Sequence, residues 1–332
     1  MVEEKKPVLV VLGTGGTISG GGNREGENLG YTAGLVSVET LVGGLPAPSG
    51  VVLETRQVAQ IDSKNMSSSV WRDLFEAAVA ALNRPDVQGV VITHGTDTLE
   101  ETGFLLSSLL QADKPVVLTC AMRPATAAYP DGPQNLADAL QVAACPGARG
   151  VMAVCAGRIH DGQHFSKVHT YRLDPFDSGE AGVIGYVEEG RVRCVRPWPR
   201  SEPTEHSREE KTVLSTLGKP WPRVEIVLNH AQADGQVVTA LLWASRQDGA
   251  EPLAGLVLAG TGNGTCSEGL SAALSQASEC GVTVWRASRC CQGAVLPTSL
   301  DLFPSAGDLP PVKARIALAL HLMGLGRGEA VG

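Results

Sequence analysis

Two short polar stretches carry side chains whose types and spacing could do chemistry. Thr96, Asp97 and Thr98 follow an apolar run, 89–93, with the length and β-branched content of a buried strand. Helical spacing begins at Leu99, so the three polar residues stand where a strand end becomes a helix start. Such a joint offers free backbone N–H groups and a favourable dipole to an anionic ligand. Capping of the helix is the alternative, and it is the commoner role of such residues.

The second polar stretch, residues 13–18, is rich in glycine and follows the first apolar run. A dinucleotide-binding loop would need a third glycine where Ile18 stands, and a Walker loop would need a Gly-Lys-Ser/Thr sequence. With both nucleotide-binding loops rejected, the stretch is interpreted as a strand end whose backbone can approach a ligand closely. It carries the hydroxyls of Thr14 and Thr17. A tight turn that needs glycine for its dihedral angles is the simpler explanation of the stretch taken alone.

Alternating strand and helix patterns place both stretches at strand ends. Strands are predicted over 7–12, 51–60, 89–93, 115–119 and 150–156. Helices are predicted near 37–45, 67–81, 99–110 and 134–144. Strands separated by helices indicate parallel pairing and an α/β fold. Open sheets of this kind bind ligands at the carboxyl ends of their strands.

A change of pattern predicts a second domain. Short strand-like pieces between 174 and 198 are followed by a charged, proline-punctuated stretch. Beyond it, strands over 223–228, 255–258 and 281–285 alternate with helices near 235–246, 268–279 and 311–325. The predicted division is an N-terminal domain, 1–200, a linker, 201–221, and a C-terminal domain, 222–332. The predicted fold class is therefore two α/β domains, a larger N-terminal one with a mixed or parallel sheet and a smaller C-terminal one with a parallel sheet.

The amino-acid composition and net charge disfavour some classes of binding partner. The chain has 332 residues, 43% of them hydrophobic, and a net charge of −8, which disfavours nucleic acid and anionic membrane surfaces as partners. No apolar run reaches the length of a membrane span. The first residues contain no long apolar core, so a cytoplasmic location is expected, and a periplasmic one stays open if the start is processed.

Cysteine and histidine spacing predicts neither disulfides nor a metal site. The eight cysteines include no Cys-x-x-Cys pair, and reduced thiols are expected. His160 and His164 have the spacing of a helical metal pair, but Gly162 between them disfavours a helix and the motif's glutamate is missing.

Taken together, the motifs resemble those of the bacterial-type L-asparaginases. Thr14-Gly-Gly-Thr17-Ile18 and His94-Gly-Thr96-Asp97-Thr98 match the two signature motifs of that family. Further matches follow in the same order along the chain, at 30–34, 61–66, 121–124, 131–136, 165–167 and 260–264. The segment 99–102 is closer to the type II branch than to the type I branch. The resemblance runs nearly from end to end.

The resemblance implies an amidohydrolase that converts L-asparagine and water to L-aspartate and ammonia through a threonine nucleophile and an acyl-enzyme. Thr17 is the implied nucleophile, and Tyr31, on a glycine-flanked loop, closes over it. Thr96, Asp97 and Lys167 resemble the family's second catalytic group. Such a reaction needs a nucleophile, a base and donors for the developing oxyanion.

The implied substrate-binding residues partly overlap with the catalytic ones: Gly16, Ser63, Lys64, Gly95, Thr96, Asp97 and Asn263. Asp97 is expected to bind the substrate's α-ammonium group, and Ser63 with nearby glycine amides its α-carboxylate. Two positions depart from the family pattern. Lys64 stands where many relatives carry a neutral or acidic residue, and no glutamate occurs near Leu300, where relatives often have one. The preference between asparagine and glutamine is therefore open.

The resemblance also implies a homotetramer built as a dimer of dimers, a small-molecule substrate, and no metal or other cofactor. Three alternatives remain: a glutaminase-asparaginase with comparable L-glutamine activity, a non-catalytic amino-acid sensor, and the amidase subunit of a tRNA-dependent amidotransferase. A sensor would not need the two hydroxyls together with Lys167. The amidotransferase subunit would be expected to carry an extra tRNA-associated domain and a basic surface, and the sequence shows neither.

Overall fold

The computed structural model describes residues 6–22, 30–199 and 209–326. The chain divides into two compact units, Met1–Gly218 and Lys219–Gly332, and each has its own sheet. Residues 201–208 of the predicted linker, 201–221, lie outside the described residues. The fold of each unit explains how the polar strand ends are positioned.

The described part of the first unit contains ten strands. In chain order they are β1 (Val8–Gly15), β2 (Val52–Ile61), β3 (Val87–Thr93), β4 (Pro115–Thr119), β5 (Gly150–Cys155), β6 (Arg158–Asp161), β7 (Ser166–Lys167), β8 (Phe176–Asp177), β9 (Gly185–Glu188) and β10 (Arg191–Cys194). Eight of them form one mixed sheet in the order β10-β9-β6-β5-β4-β3-β1-β2, and β7 pairs with β8 alone. Strands β1 to β5 pair in parallel, whereas β6, β9 and β10 add an antiparallel extension next to β5.

The parallel strands at the centre of this sheet are buried along their whole length, as expected when helices cover both faces. Every residue of β1, β4 and β5 is buried, while β2, at the edge, is half-exposed. The chain runs from β1 outward to β2 and then crosses back to β3 on the other side of β1. The strand order therefore reverses between β1 and β3, and open α/β sheets bind ligands at such a point.

Among the described residues, the same unit has five α-helices: α1 (Val38–Gly43), α2 (Ser68–Leu82), α3 (Leu99–Leu109), α4 (Gly132–Ala144) and α5 (Glu210–Leu217). Helix α5 lies inside the predicted linker and packs against α2. Ser67 caps α2 by accepting from the Val70 N–H. The buried face of α2 includes Trp71, whose indole nitrogen donates to the Thr102 hydroxyl on α3.

Strand β1 continues to Gly15, three residues beyond its predicted end. Gly13 pairs with Thr93 of β3 and with Gln57 of β2, and Gly15 pairs with Ile61. A Cβ atom on Gly15 would lie 2.4 Å from the Ile61 carbonyl oxygen, so glycine is needed here for close approach within the sheet. The glycine-rich sequence was wrongly predicted to be all loop because glycine is usually depleted in strands.

The second unit is a small parallel α/β fold. Its strands are β11 (Arg223–Leu228), β12 (Leu253–Gly260) and β13 (Thr283–Ser288), in that spatial order, and its helices are α6 (Gln236–Ala244), α7 (Glu268–Glu279) and α8 (Pro311–Leu322). The central strand, β12, contributes Leu256, Val257 and Leu258 to the core, each at most 1% exposed. The predicted fold class, two α/β domains with the larger one first, is confirmed.

Within the described ranges, no helix combines the length and apolar character that crossing a membrane requires.

Candidate active site

Three loops meet at the carboxyl ends of β2, β1 and β3. A Cβ atom on Gly16, which has a φ of 83°, would lie 2.3 Å from the Gly95 nitrogen. A Cβ atom on Gly95 would lie 2.5 Å from the Ser63 hydroxyl oxygen. The glycines therefore let the backbones touch, and the residues that follow them, Thr17 and Thr96, are carried by loops in direct contact.

Thr17 begins a short 3-10 turn after β1 and is buried. Its hydroxyl lies 2.5 Å from the hydroxyl of Tyr31. Two backbone hydrogen bonds between Gly21 and Thr32, each 2.9 Å long, tie the tyrosine segment to the segment after Thr17. The tyrosine ring packs against Gly20, where a Cβ atom would lie 2.8 Å from the ring. The sequence motif at 30–34 is thus held beside Thr17.

Burial raises the pKa of Tyr31 above its usual value of 10.0, although the hydrogen bond from Thr17 opposes the shift. The phenol is therefore neutral at neutral pH. A neutral hydroxyl both donates and accepts, so Tyr31 can pass a proton between Thr17 and another group. It does not act as a base that is already ionised before the substrate binds.

Thr96 and Asp97 share Lys167 as a partner. The Lys167 ammonium donates to the Thr96 hydroxyl oxygen at 2.8 Å and to Oδ1 of Asp97 at 2.6 Å. Strand β7 supplies Lys167, and its backbone N–H donates to Glu100 Oε1 on α3 at 3.2 Å. Because the ammonium donates to the Thr96 oxygen, the hydrogen of that hydroxyl is available to another acceptor.

The two charges of this ion pair differ in exposure. The Lys167 side chain is 18% exposed and the Asp97 side chain is 52% exposed. Lys167 donates to Oδ1 of Asp97, and the carboxylate is exposed enough to accept a second cationic group. The carboxylate can therefore hold Lys167 and a ligand's ammonium group together.

Ser63 connects the end of β2 to the loop after β3. Its hydroxyl oxygen accepts from the Asp97 N–H at 3.2 Å, and its carbonyl oxygen accepts from the Thr98 hydroxyl at 2.8 Å. Thr98 stands at the N-cap of α3 but makes no side-chain capping bond. The capping alternative does not describe Thr98, because its hydroxyl is used to join the loops.

Lys64, the departure from the family pattern, is paired outside the hydroxyl cluster. Its ammonium lies 2.7 Å from Asp62 Oδ2, and that hydrogen-bonded ion pair raises the pKa of Lys64. The side chain is 65% exposed. Its charge is balanced by Asp62.

Asn263 belongs to the second unit, and both ends of its side-chain amide bind the backbone of Leu296, at 2.9 and 2.7 Å. Asp301, next to the position where the family's glutamate is missing, pairs with Arg286. The first unit brings together eight of the predicted residues: Gly16, Thr17, Tyr31, Ser63, Gly95, Thr96, Asp97 and Lys167. Asn263 is engaged within its own unit.

The sequence did not predict the hydrogen-bonded side chains that surround His94, just before the loop after β3. His94 is fully buried and its ring contacts both Gly95 and Thr102, which in turn contacts Trp71. A hydroxyl at 102, one helical turn after Thr98 on the apolar face of α3, was the available signal.

The arrangement suits acyl transfer. Two hydroxyls on touching loops each contact a group that can take part in proton transfer, and a half-exposed carboxylate stands beside them. Among the described residues, no cluster of three or more histidine, cysteine, aspartate and glutamate side chains could hold a metal ion.

Comparison with known proteins agrees with this arrangement. The family model described as "Asparaginase, N-terminal" matches residues 8–200, and the "Glutaminase/Asparaginase C-terminal domain" model matches residues 223–328. The chain is 35% identical to L-asparaginase 2 of Escherichia coli (strain K12), over 95% of this chain and 89% of that protein. It is 34% identical to a glutaminase-asparaginase of Pseudomonas fluorescens biotype A, over 95% of this chain and 86% of that protein.

The crystal structure of a probable cytoplasmic L-asparaginase from Campylobacter jejuni superposes with a TM-score of 0.85. The two chains are 33% identical, and the match covers 96% of this chain and 95% of the other. The resemblance predicted from the motifs is confirmed. The two family models, which cover most of the chain, and these relatives place this chain in the asparaginase family.

Proposed function

We propose that this protein is an L-asparaginase, which hydrolyses L-asparagine to L-aspartate and ammonia through an acyl-enzyme on Thr17. Membership of the asparaginase family gives the reaction class, hydrolysis of an amide bond. One observation carries the assignment of roles. Two threonine hydroxyls stand on touching loops, and each is hydrogen-bonded to its own proton-transfer partner, Tyr31 for Thr17 and Lys167 for Thr96.

In the first step, the Thr17 hydroxyl oxygen forms a bond to the side-chain amide carbon of asparagine. Its proton passes through Tyr31 to the amide nitrogen, the C–N bond breaks, and ammonia leaves. In the second step, a water molecule attacks the resulting ester. The water gives one proton to the Thr17 oxygen as the ester bond breaks, and aspartate leaves.

Thr96 and Lys167 serve the same reaction from the neighbouring loop. The available hydrogen of the Thr96 hydroxyl can donate to the substrate or to the attacking water, while Lys167 holds the hydroxyl oxygen in place. The half-exposed carboxylate of Asp97 binds the α-ammonium group of the substrate. We propose that the Gly95 amide and the Ser63 hydroxyl donate to its α-carboxylate. Gly16, whose own N–H donates to the Ile61 carbonyl at 2.8 Å, contributes by letting the loops touch.

A glutaminase-asparaginase is the second candidate. It is favoured by the likeness to the Pseudomonas protein, and the missing glutamate near Leu300 leaves the preference between the two substrates open. Asn263 and Lys64 remain proposed substrate-binding residues, although both side chains have partners of their own.

An ammonia-release assay on L-asparagine and L-glutamine tests these proposals. We expect kcat/KM to be larger for asparagine, and comparable values for the two substrates would favour the glutaminase-asparaginase. Calorimetry that detects asparagine binding while no ammonia is released from either substrate would contradict both and indicate a sensor.

We also propose a cytoplasmic homotetramer, assembled as a dimer of dimers. Eight free cysteines, four of them exposed, support a reducing compartment. Sedimentation or light scattering should give four times the chain mass of 34.6 kDa. A monomer at assay concentration would contradict the assembly.

A further inference from the structure

Three buried side chains form a series of hydrogen bonds that ends on the backbone carbonyl of Gly95, in the loop after β3. The Trp71 indole nitrogen lies 2.9 Å from the Thr102 hydroxyl, which lies 2.9 Å from Nε2 of His94. Nδ1 of the same ring lies 2.7 Å from the Gly95 carbonyl oxygen. Trp71 is 5% exposed, and Thr102 and His94 are fully buried.

The donors and acceptors along this series can be assigned from chemistry. An indole N–H donates and does not accept, so the Thr102 oxygen accepts from Trp71. The Gly95 carbonyl oxygen can only accept, so a neutral His94 ring carries its proton on Nδ1, and Nε2 accepts the hydroxyl hydrogen of Thr102. Burial lowers the pKa of His94 to about 4, in keeping with this neutral ring.

The last hydrogen bond of this series, from His94 to the Gly95 carbonyl, fixes the plane of one peptide group. The Gly95 carbonyl and the Thr96 N–H belong to the same trans peptide group and point in opposite directions. A carbonyl held toward the buried imidazole directs the Thr96 N–H away from it. Gly95 has no side chain of its own to restrict this peptide, and its other neighbours are Gly16 and Ser63.

We propose that Trp71, Thr102 and His94 are positioning residues for the reaction, which hold the Gly95–Thr96 peptide so that its N–H faces the reacting amide group of the substrate. The three side chains do not touch the substrate; they act through Gly95. This inference rests on the proposed amidohydrolase function. It gives His94 an indirect role in the reaction.

Thr102→Val tests this series of hydrogen bonds, because it keeps the side-chain shape and removes the hydroxyl. Thr119→Val is the matched control, since Thr119 is equally buried and its hydroxyl donates over 2.9 Å to the Val154 carbonyl, away from the imidazole. We expect Thr102→Val to lower kcat for L-asparagine by about tenfold or more, with KM changed by less than about threefold. Thr119→Val should stay within about twofold of wild type in kcat at a similar loss of Tm. Thr102→Ser, which restores the hydroxyl, should recover kcat to within about threefold of wild type.

Equal kcat values for Thr102→Val and Thr119→Val, at an equal loss of Tm, would overturn the inference. The proposed function would still hold in that case, provided that the wild-type protein releases ammonia. Absence of ammonia release by wild type would overturn both. A second measurement, on the wild-type protein, tests the inference even if Thr102→Val fails to fold. Nitrogen-15 NMR of the wild-type histidines should show His94 protonated on Nδ1 and not on Nε2. A proton on Nε2 would contradict the assigned direction.

Discussion

At the scale of single residues, the two threonines differ in the partner that controls their proton. Thr17 faces a phenol whose raised pKa keeps it neutral, so this pair can relay a proton in either direction. Thr96 accepts from an ammonium group that is also held by Asp97. The first pair is thus suited to covalent attack, and the second to orientation and charge stabilisation.

Removal of the Tyr31 hydroxyl should therefore affect turnover more than binding. We expect Tyr31→Phe to lower kcat about 10²-fold or more, the range for loss of a positioned proton-transfer group, with little change in KM. Steady-state ammonia release measures both constants. Tyr129→Phe is the control, because Tyr129 is 80% exposed. An unchanged kcat in Tyr31→Phe would remove tyrosine from the mechanism.

Neutralising Asp97 should weaken binding of the substrate's α-ammonium group. We expect Asp97→Asn to raise KM for L-asparagine by about tenfold or more, since a hydrogen bond between charged groups is replaced by a weaker one. KM for asparagine, measured beside the inhibition constant of L-aspartate, checks this. Wild-type values for both constants would mean that another group anchors the ammonium.

At the scale of elements, the site depends on two strand ends that touch through glycine. The order strand, polar stretch, helix was readable in the sequence around 89–110, and it predicted the end of β3 well. The end of β1 was predicted three residues early, because Gly13 and Gly15 remain in the sheet where their neighbours leave no room for a side chain.

Gly16→Ala should disrupt this contact. The new Cβ atom would lie 2.3 Å from the Gly95 nitrogen, so one loop must move. Gly50→Ala is matched for backbone strain, since Gly50 has a φ of 79° but no atom within 4 Å of the added Cβ. We expect Gly50→Ala to destabilise the fold by about 1 kcal/mol and to keep activity, whereas Gly16→Ala loses more stability and most of its ammonia release. Denaturant unfolding and the ammonia assay compare the two. Equal behaviour would show that the close approach is unimportant.

At the scale of the whole molecule, buried histidines link stability to pH. Burial lowers the pKa of His94 and of His160 from 6.5 to about 4. Between these values the unfolded chain binds protons that the folded chain does not, so this contribution to stability is complete above pH 6.5 and is lost as the pH falls toward 4.

From pH 7 to pH 5 the free energy of unfolding should fall by roughly 2 kcal/mol for each of the two histidines. Urea unfolding at both pH values measures the change. His160→Gln should remove about half of the histidine contribution, because His94 remains. The same pH dependence in His160→Gln as in wild type would contradict a neutral buried His160.

Local patterns predicted the two-domain α/β class and most central strands, because hydrophobic period and length determine them. The strand-like pieces predicted between 174 and 198 include the antiparallel strands β9 and β10, whereas β6 was not predicted, since a strand of four residues has little periodicity. The site residues came from motif resemblance. Their meeting could not be derived from spacing, because Lys167 reaches Thr96 across 71 residues of chain. The role of His94 escaped prediction because its partners, Trp71 and Thr102, are ordinary core positions in sequence.

The central claim is that the threonines of two loops form one catalytic site. The most direct measurement is ammonia release from L-asparagine by Thr17→Ala and Thr96→Val, with folding checked by circular dichroism and unfolding. We predict that each substitution alone abolishes turnover while the folded structure is retained. Near-normal turnover in either folded variant would contradict the two-threonine site.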